Sequence, residues 1–280
     1  MIPIPNNFRG KSPDGAIEKA LKAAEEEKET GEIKQVPQNL SNVPVITSFG
    51  THWHIDDVLY RGEQYVADLS RTLLDSGAEH TQDEWAARYE RAIDNNDFYT
   101  PDLPTLYGIV KALYTARGDA SRAGQIAEAQ EFLKSTSRAK WLMTLTRIAY
   151  QPIGDDIIIH NHGTRDRYEN KVDFITSSEC IKKTNRPTSY KALLGTQDSV
   201  QEINSVFHWI SDRDIYAVVK PKPSVIERVA RFLVNSKVIE RVARLNASSY
   251  WAYLNCYWNP TYSNSSFGVR MRKKIFGAAP

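Results

Sequence analysis

Cysteine is scarce in this chain, and its scarcity excludes two classes of protein. Cys180 and Cys256 are the only cysteines among 280 residues. Disulfide-stabilised secreted domains and sulfur-rich zinc sites both need several cysteines at short spacings. We therefore expect neither of these frameworks, and we expect both cysteines to be small buried apolar residues.

A strong charge of either sign is also lacking. The chain has 36 Lys and Arg residues against 34 Asp and Glu residues, which leaves a formal net charge of +2. A protein that holds nucleic acid by counterion release needs an excess of basic residues. This balance therefore predicts no nucleic-acid partner.

Long apolar runs are absent as well. No stretch approaches the run of about 18 apolar residues that a membrane-spanning helix needs, and the first 15 residues lack the apolar core of a secretory signal. The sequence therefore predicts no membrane span. No signal specifies a location, so the cytoplasm is the default expectation.

The sequence also lacks the patterns that build phosphate cradles and nucleophile elbows. It contains no G-x-x-x-x-G-K-[ST], G-x-G-x-x-G or G-x-S-x-G. We therefore expect no catalytic residues and no cofactor.

What is present divides the chain into three parts. Residues 1–48 predict a tail with a solvated helix, because helix formers there have little apolar face. Residues 49–150 predict a mainly helical region, with a capping box at Thr81 and Glu84 and a long helix that buries Ile126, Ala129, Leu133, Leu142, Leu145 and Ala149. Residues 151–280 carry short β-branched runs between turn-forming residues, which predict strands and loops. The fold class expected is α+β, with a largely helical N-terminal half.

Residues 244–266 differ in composition from the rest of the chain. Thirteen of these 23 residues are Asn, Ser or Tyr, and Arg244 is the only charged one. A disordered polar tract would not carry four Tyr and two Trp residues. Large amphipathic rings beside Ser and Asn are typical of displayed binding surfaces, because rigid rings provide contact area at low entropic cost.

The order of residues in this segment predicts a strand. Ala252, Leu254 and Cys256 recur with the period of two that points one set of side chains to a core. We expect the opposite face to present Trp251, Tyr253, Asn255 and Tyr257, and a loop to follow from Trp258.

A second alternation follows the loop. Phe267, Val269 and Met271 alternate with more polar or smaller residues. This pattern predicts a terminal strand that packs the end of the chain into a sheet and holds the loop in place.

The pattern R-x-x-x-x-S-x-x-A-x-L from Arg244, with Phe267-Gly268-Val269-Arg270 after it, resembles the variable region of archaeal variable proteins of diversity-generating retroelements. The resemblance is strongest over residues 242–272. It implies a C-type lectin-like fold for residues 151–280 and a non-catalytic receptor with a macromolecular ligand, a protein, bound without metal. It also implies that an error-prone reverse transcriptase rewrites adenines of the variable segment 244–266.

The resemblance implies two sets of positions. The ligand-facing, diversified set is Asn246, Ser248, Ser249, Tyr250, Trp251, Tyr253, Asn255, Tyr257, Trp258, Asn259, Tyr262 and Asn264. The scaffold set is Ala252, Leu254, Cys256, Gly268, Val269 and Arg270. Rewriting the adenines of an Asn codon yields Tyr, Ser, Asp, His or Gly, but never Lys, Glu or Gln, and it cannot yield Trp251 or Trp258.

His52, His54 and Asp56 leave a second function open. Their H-x-H-x-D spacing places two imidazoles on one side of an extended chain beside a carboxylate, as in dinuclear zinc hydrolases. Such hydrolases need further His or Asp ligands downstream, where the remaining histidines are His80, His160, His162 and His208, and His160 or His162 is the candidate. A metal-dependent hydrolase is therefore the alternative function.

Overall fold

The computed structural model describes residues 43–152, 154–172, 182–219, 238–248 and 250–274, and the following statements concern these residues. These residues form two β-sheets and five α-helices. The predicted tail helix lies before residue 43, outside the described residues.

The first sheet contains both ends of the described chain. Its order is β1-β2-β3-β11, with all neighbours antiparallel. The strands are β1 (Ile46–Ser48), β2 (His52–Tyr60), β3 (Glu63–Leu73) and β11 (Phe267–Lys273). Arg61 and Gly62 join β2 to β3 with φ values of 54° and 77°. Two left-handed residues in succession suit the twist of a tight hairpin.

The second sheet carries the segment of unusual composition. Its order is β6-β5-β4-β9-β10-β8-β7. The strands are β4 (Leu142–Tyr150), β5 (Asp156–His160), β6 (Tyr168–Val172), β7 (Lys182–Thr184), β8 (Ile215–Val219), β9 (Ile239–Ala247) and β10 (Ala252–Trp258). β10 pairs with β9 in the antiparallel sense and with β8 in the parallel sense.

Five helices connect these strands. They are α1 (Gln82–Asp94), α2 (Leu103–Ala116), α3 (Ala123–Ala139), α4 (Pro187–Leu194) and α5 (Val200–Ser211). The predicted capping box at the start of α1 is confirmed, since Thr81 and Glu84 exchange side-chain and backbone hydrogen bonds. Asp102 and Ser199 accept backbone N–H groups at the starts of α2 and α5.

A single apolar core joins both sheets and the helices. Ile55, Leu69, Leu113, Ile148 and Leu254, which come from five different elements, are all 0% exposed and belong to one cluster. No helix among the described residues is both long and apolar enough to cross a membrane. The mixture of helices with mainly antiparallel strands agrees with the α+β expectation.

The predicted helical region 49–150 needs two corrections. Residues 52–73 form the β2–β3 hairpin, and residues 46–48 already form β1, so the strands begin within the predicted tail. The predicted long helix ends at Ala139, because Lys140 takes an extended conformation. Three residues that were expected on this helix, Leu142, Leu145 and Ala149, lie on β4 instead. All nine residues of β4 are buried. A strand buried on both faces shows no alternation, so its sequence reads equally well as a buried helix.

The region 151–280 also differs from expectation in one respect. Besides the predicted strands it contains the helices α4 and α5, which pack against α2 and α3. The terminal strand β11 is confirmed, but it joins the first sheet, beside β3, rather than the sheet that contains β10.

Candidate ligand-binding surface

The alternation predicted for β10 is confirmed. Ala252, Leu254 and Cys256 are at most 1% exposed, whereas the intervening side chains of the strand are half-buried. Tyr253 pairs with Tyr216 of β8 on one side and with Asn246 of β9 on the other. Because paired residues share a face of a sheet, β8 extends the outward side of β10.

Aromatic rings cluster at both ends of this side of the sheet. At one end the rings of Tyr216 and Trp251 meet edge to face, with centroids 4.6 Å apart. At the other end Trp258 lies 6.1 Å from Trp141 and 5.1 Å from Tyr262, centroid to centroid. Edge-to-face pairs fix ring orientations. We call the combined set the aromatic face: Trp141, Tyr216, Tyr250, Trp251, Tyr253, Tyr257, Trp258 and Tyr262.

Two members of the aromatic face were missed by the sequence analysis. Trp141 lies between α3 and β4, and Tyr216 lies on β8, so both are outside residues 244–266. Their neighbourhoods have no unusual composition. Only the strand order brings them to the segment, and sequence offered no signal for that order.

Arg244 lies beneath the rings at one end of the aromatic face. It is 2% exposed, and its guanidinium carbon is 3.8 Å from the ring centroid of Trp258 and 4.9 Å from that of Trp141. Its Nη1 donates to Oδ1 of Asn264. Burial lowers the pKa of Arg244 to about 10, so the group still carries its charge at neutral pH. Arg244 therefore links the start of the loop, at Trp258, to its end, at Asn264.

The end of the loop is fixed to the scaffold by hydrogen bonds of its main chain and of two serine hydroxyls. Asn264 exchanges backbone hydrogen bonds with His80, at 2.9 and 3.1 Å, and its carbonyl also accepts from Nε1 of Trp85 at 2.9 Å. The hydroxyl of Ser265 donates to the carbonyl of Gly77 at 2.8 Å, and that of Ser266 donates to the carbonyl of Met143 at 3.2 Å. None of these contacts involves an exposed side chain of the loop, so residues 264–266 keep them when those side chains are substituted.

Two residues predicted to face the ligand are buried instead, so that part of the prediction is wrong. Asn246 and Asn264 are each 9% exposed. Nδ2 of Asn246 donates to the carbonyls of Ser137 and Lys140, both at 3.1 Å, at the C-terminal end of α3. Asn264 accepts from Arg244. Both amides satisfy buried polar groups, a use that composition alone does not reveal.

Three further predicted positions shape the local backbone. The hydroxyl of Ser248 accepts from the N–H of Trp251 at 3.3 Å, where β9 turns into β10. Oδ1 of Asn255 accepts from the N–H of Tyr257, and Oδ1 of Asn259 accepts from that of Thr261, both at 3.1 Å. Such side-chain acceptors stabilise turns and bulges.

The remaining predicted positions differ in exposure. Tyr250 is 79% exposed and Tyr262 is 54% exposed, and Asn259 is also exposed. The half-buried members are Trp251, Tyr253, Tyr257 and Trp258. Ser249 lies outside the described residues.

His52 and His54 take part in a buried ion-pair cluster on the first sheet. Nδ1 of His54 lies 2.7 Å from Oδ1 of Asp68, and Nε2 of His52 lies 3.8 Å from the same oxygen. Asp68 is 0% exposed, and its other oxygen accepts from two arginines of β11, Arg270 and Arg272. Burial alone would raise the pKa of Asp68, but hydrogen bonds from His54 and Arg270 outweigh it and hold the pKa below its usual value.

The other residues of the hydrolase alternative have separate partners. Asp56 lies 3.8 Å from His54. His160 is buried between the hydroxyl of Thr146 and the carbonyl of Ala192, at 3.1 and 2.9 Å. No group of three or more His, Cys, Asp or Glu side chains in the described part of the chain is placed to hold a metal ion. With two arginines on Asp68, this geometry favours a structural ion-pair cluster at His52 and His54.

Comparison of the chain with family models, with curated proteins and with solved structures found no match. The geometry of the aromatic face and the composition of residues 244–266 are therefore the guides to function.

Proposed function

We propose that this chain is a ligand-binding receptor, and that its aromatic face holds a macromolecular partner, a protein. The observation that carries the proposal is the division of β10 into a buried apolar side and an aromatic side. Aromatic residues in well-packed, desolvated positions contribute most of the free energy at protein interfaces. Exposed Tyr250 and Tyr262 provide contact area beside the better-buried tryptophans.

We further propose that a retroelement diversifies this surface, as in archaeal variable proteins with a C-type lectin-like fold. The scarcity of charge in residues 244–266 supports this, because adenine rewriting of Asn codons does not produce Lys or Glu. The fixed ends of the loop support it too. Substitutions at Asn259 or Tyr262 change exposed side chains, while the contacts of residues 264–266 to the scaffold remain.

Sequencing of the locus across a natural population tests the proposal. We expect substitutions to concentrate at Tyr250, Tyr253 and Tyr262, and to consist of residues reachable through adenine changes. Asn95 and Asn96 are the internal control, because they are exposed asparagines outside the segment. Equal substitution rates at the control asparagines and in the segment would refute diversification.

A further inference from the structure

Arg244 is a buried charge that lacks an acidic partner among the described residues. It is the only charged residue of 244–266, it is 2% exposed, and none of the described ion pairs includes it. Its Nε and Nη2 have no hydrogen-bond partner within the described residues. Burial lowers the pKa of Arg244, and the charge of Glu79 opposes that shift through space, without a hydrogen bond between the two groups. A buried cation with unpaired donors is costly to stability, so its position directly beneath the aromatic face indicates a use in binding.

The two unpaired nitrogens of Arg244 define the kind of group that can bind there. In a guanidinium group the Nε–H and one Nη2–H bond point in the same direction, and together they match the two oxygens of a carboxylate. Asn264 already occupies Nη1, on the other side of the group. The free edge of Arg244 is therefore the edge that forms a bidentate pair with a carboxylate.

We propose that the partner of the aromatic face presents a carboxylate, from an acidic side chain or a C-terminus, to Nε and Nη2 of Arg244. This inference rests on the proposed function. Because Arg244 is covered, the carboxylate reaches it when the exposed ring of Tyr262 moves aside. Tyr262 is 54% exposed and lies in the loop between the two ends that Arg244 links. The ligand thus replaces ring contacts with a charged pair in a desolvated site.

The site also predicts selectivity. A neutral amide of the same shape as the carboxylate would accept from one N–H group, but its NH2 group would face the other donor, and the charge of Arg244 would stay unpaired. Sites that hold buried polar groups reject ligands that cannot pair with them. The partner is therefore recognised by its negative group as well as by its fit to the rings.

Benzoate is a suitable probe, because it combines a carboxylate for Arg244 with an aromatic ring for the surrounding tyrosines and tryptophans. We expect calorimetry on the full chain to show saturable benzoate binding, and benzamide to bind at least about tenfold more weakly. Arg244→Lys keeps the charge but loses the paired N–H edge, so it should weaken benzoate binding by a similar factor. Arg165→Lys, whose guanidinium pairs with Glu90 and Asp94 outside the aromatic face, is the control and should bind as the wild type does.

A measurement on the unaltered chain removes dependence on how the variants fold. Benzoate should shift the Nε–H resonance of Arg244 in a side-chain NMR titration, and benzamide should not. Equal binding of benzoate and benzamide, unchanged binding by folded Arg244→Lys, or an unmoved Arg244 resonance would each overturn the inference. Tighter binding of inorganic phosphate than of benzoate would overturn the carboxylate assignment. None of these results alters the substitution pattern in the population, so a failure here is distinguishable from a failure of the proposed function.

Discussion

Asn246 provides the sharpest test of which residues are scaffold and which are displayed. It sits on β9 within the segment of unusual composition, yet its amide reaches across to the carbonyls of Ser137 and Lys140 at the end of α3. Since both partners are acceptors, the group that faces them must be the amide nitrogen. Asn246→Asp replaces this donor by an acceptor of nearly the same shape.

The expected cost follows from three contributions. Losing two hydrogen bonds costs about 1 kcal/mol each. A carboxylate at the C-terminal end of a helix opposes the helix dipole, which adds about 0.5–1 kcal/mol. Burial of an unpaired charge adds more, because Asn246 is 9% exposed. We therefore expect Asn246→Asp to lower the free energy of unfolding by about 3–4 kcal/mol, summed from these contributions.

Urea unfolding measures this difference, and Asn259→Asp is its matched control. Oδ1 of Asn259 accepts from the N–H and the hydroxyl of Thr261, both at 3.1 Å. A carboxylate retains both hydrogen bonds, so the control should change stability by less than about 0.5 kcal/mol. The two variants have the same change of charge and size. They differ in burial and in the role of the amide, because Asn259 is exposed and only accepts in these hydrogen bonds, whereas the buried Asn246 donates.

The pH dependence adds a second criterion. Burial and the facing carbonyls disfavour the ionised form of the introduced carboxyl, so its pKa in the folded state is raised. The deficit of Asn246→Asp should therefore shrink as the pH falls from about 7 to about 5, because the protonated form can donate one hydrogen bond. An unfolding free energy within about 0.5 kcal/mol of wild type at neutral pH would refute the assignment of Asn246 to the scaffold.

Three further predictions concern the scaffold beneath the site. Gly108→Ala should cost about 2 kcal/mol by thermal or urea unfolding, because a Cβ there would lie 2.6 Å from a main-chain oxygen of β2. Gly124→Ala is its control: the added Cβ would meet no atom within 4 Å beyond the backbone of its own helix, so the variant should be neutral or slightly stabilising. Asp68→Asn should cost about 3 kcal/mol at neutral pH, because it leaves charged partners unpaired. Since the pKa of Asp68 is lowered by folding, its stabilisation is present above the unfolded pKa of about 3.9 and is lost as the pH falls through the folded value. Burial raises the pKa of the Cys256 thiol, which is 0% exposed, so in a Cys180→Ser background a thiol reagent should react only on unfolding.

Each of these has a clear contrary outcome. A Gly108→Ala variant as stable as wild type would show that α2 and β2 can separate without cost. If the acid-unfolding curves of wild type and Asp68→Asn had the same shape, Asp68 would not contribute to the pH dependence of stability. Rapid modification of Cys256 in the folded chain would contradict its inward position on β10.

Local patterns predicted the parts of the fold in which a single strand or helix end determines the structure. The capping box at Thr81 depends only on residues three positions apart. The alternation of β10 depends only on the contact of one face of the strand with the core. Both could therefore be predicted from the sequence. The β2–β3 hairpin was missed because its alternation was interpreted as a metal-binding spacing at His52 and His54. The turn at Arg61 and Gly62 was the signal that could have identified it.

The site was predictable in composition but not in its boundaries. Tyr and Asn enrichment located residues 244–266, yet it could not distinguish a displayed asparagine such as Asn259 from the buried Asn246. The difference lies in the carbonyls that α3 brings to the end of β9, a contact between residues more than 100 positions apart. Trp141 and Tyr216 join the surface for the same reason, through strand order. Long-range contacts of this kind leave no local periodicity.

The two tryptophans of the segment give the proposed diversification its most specific prediction. Asn codons cannot yield Trp by adenine changes, whereas they can yield Tyr. Trp251 meets the ring of Tyr216 at 4.6 Å, and Trp258 stacks over Arg244 at 3.8 Å, so each tryptophan has a partner that fixes its ring. Tyr250, by contrast, is 79% exposed. If tryptophans support the surface and tyrosines are its varied contacts, population sequences should keep both tryptophans while Tyr250 changes. Frequent substitution at Trp251 and Trp258 beside a constant Tyr250 would reverse these roles and contradict the proposed diversification.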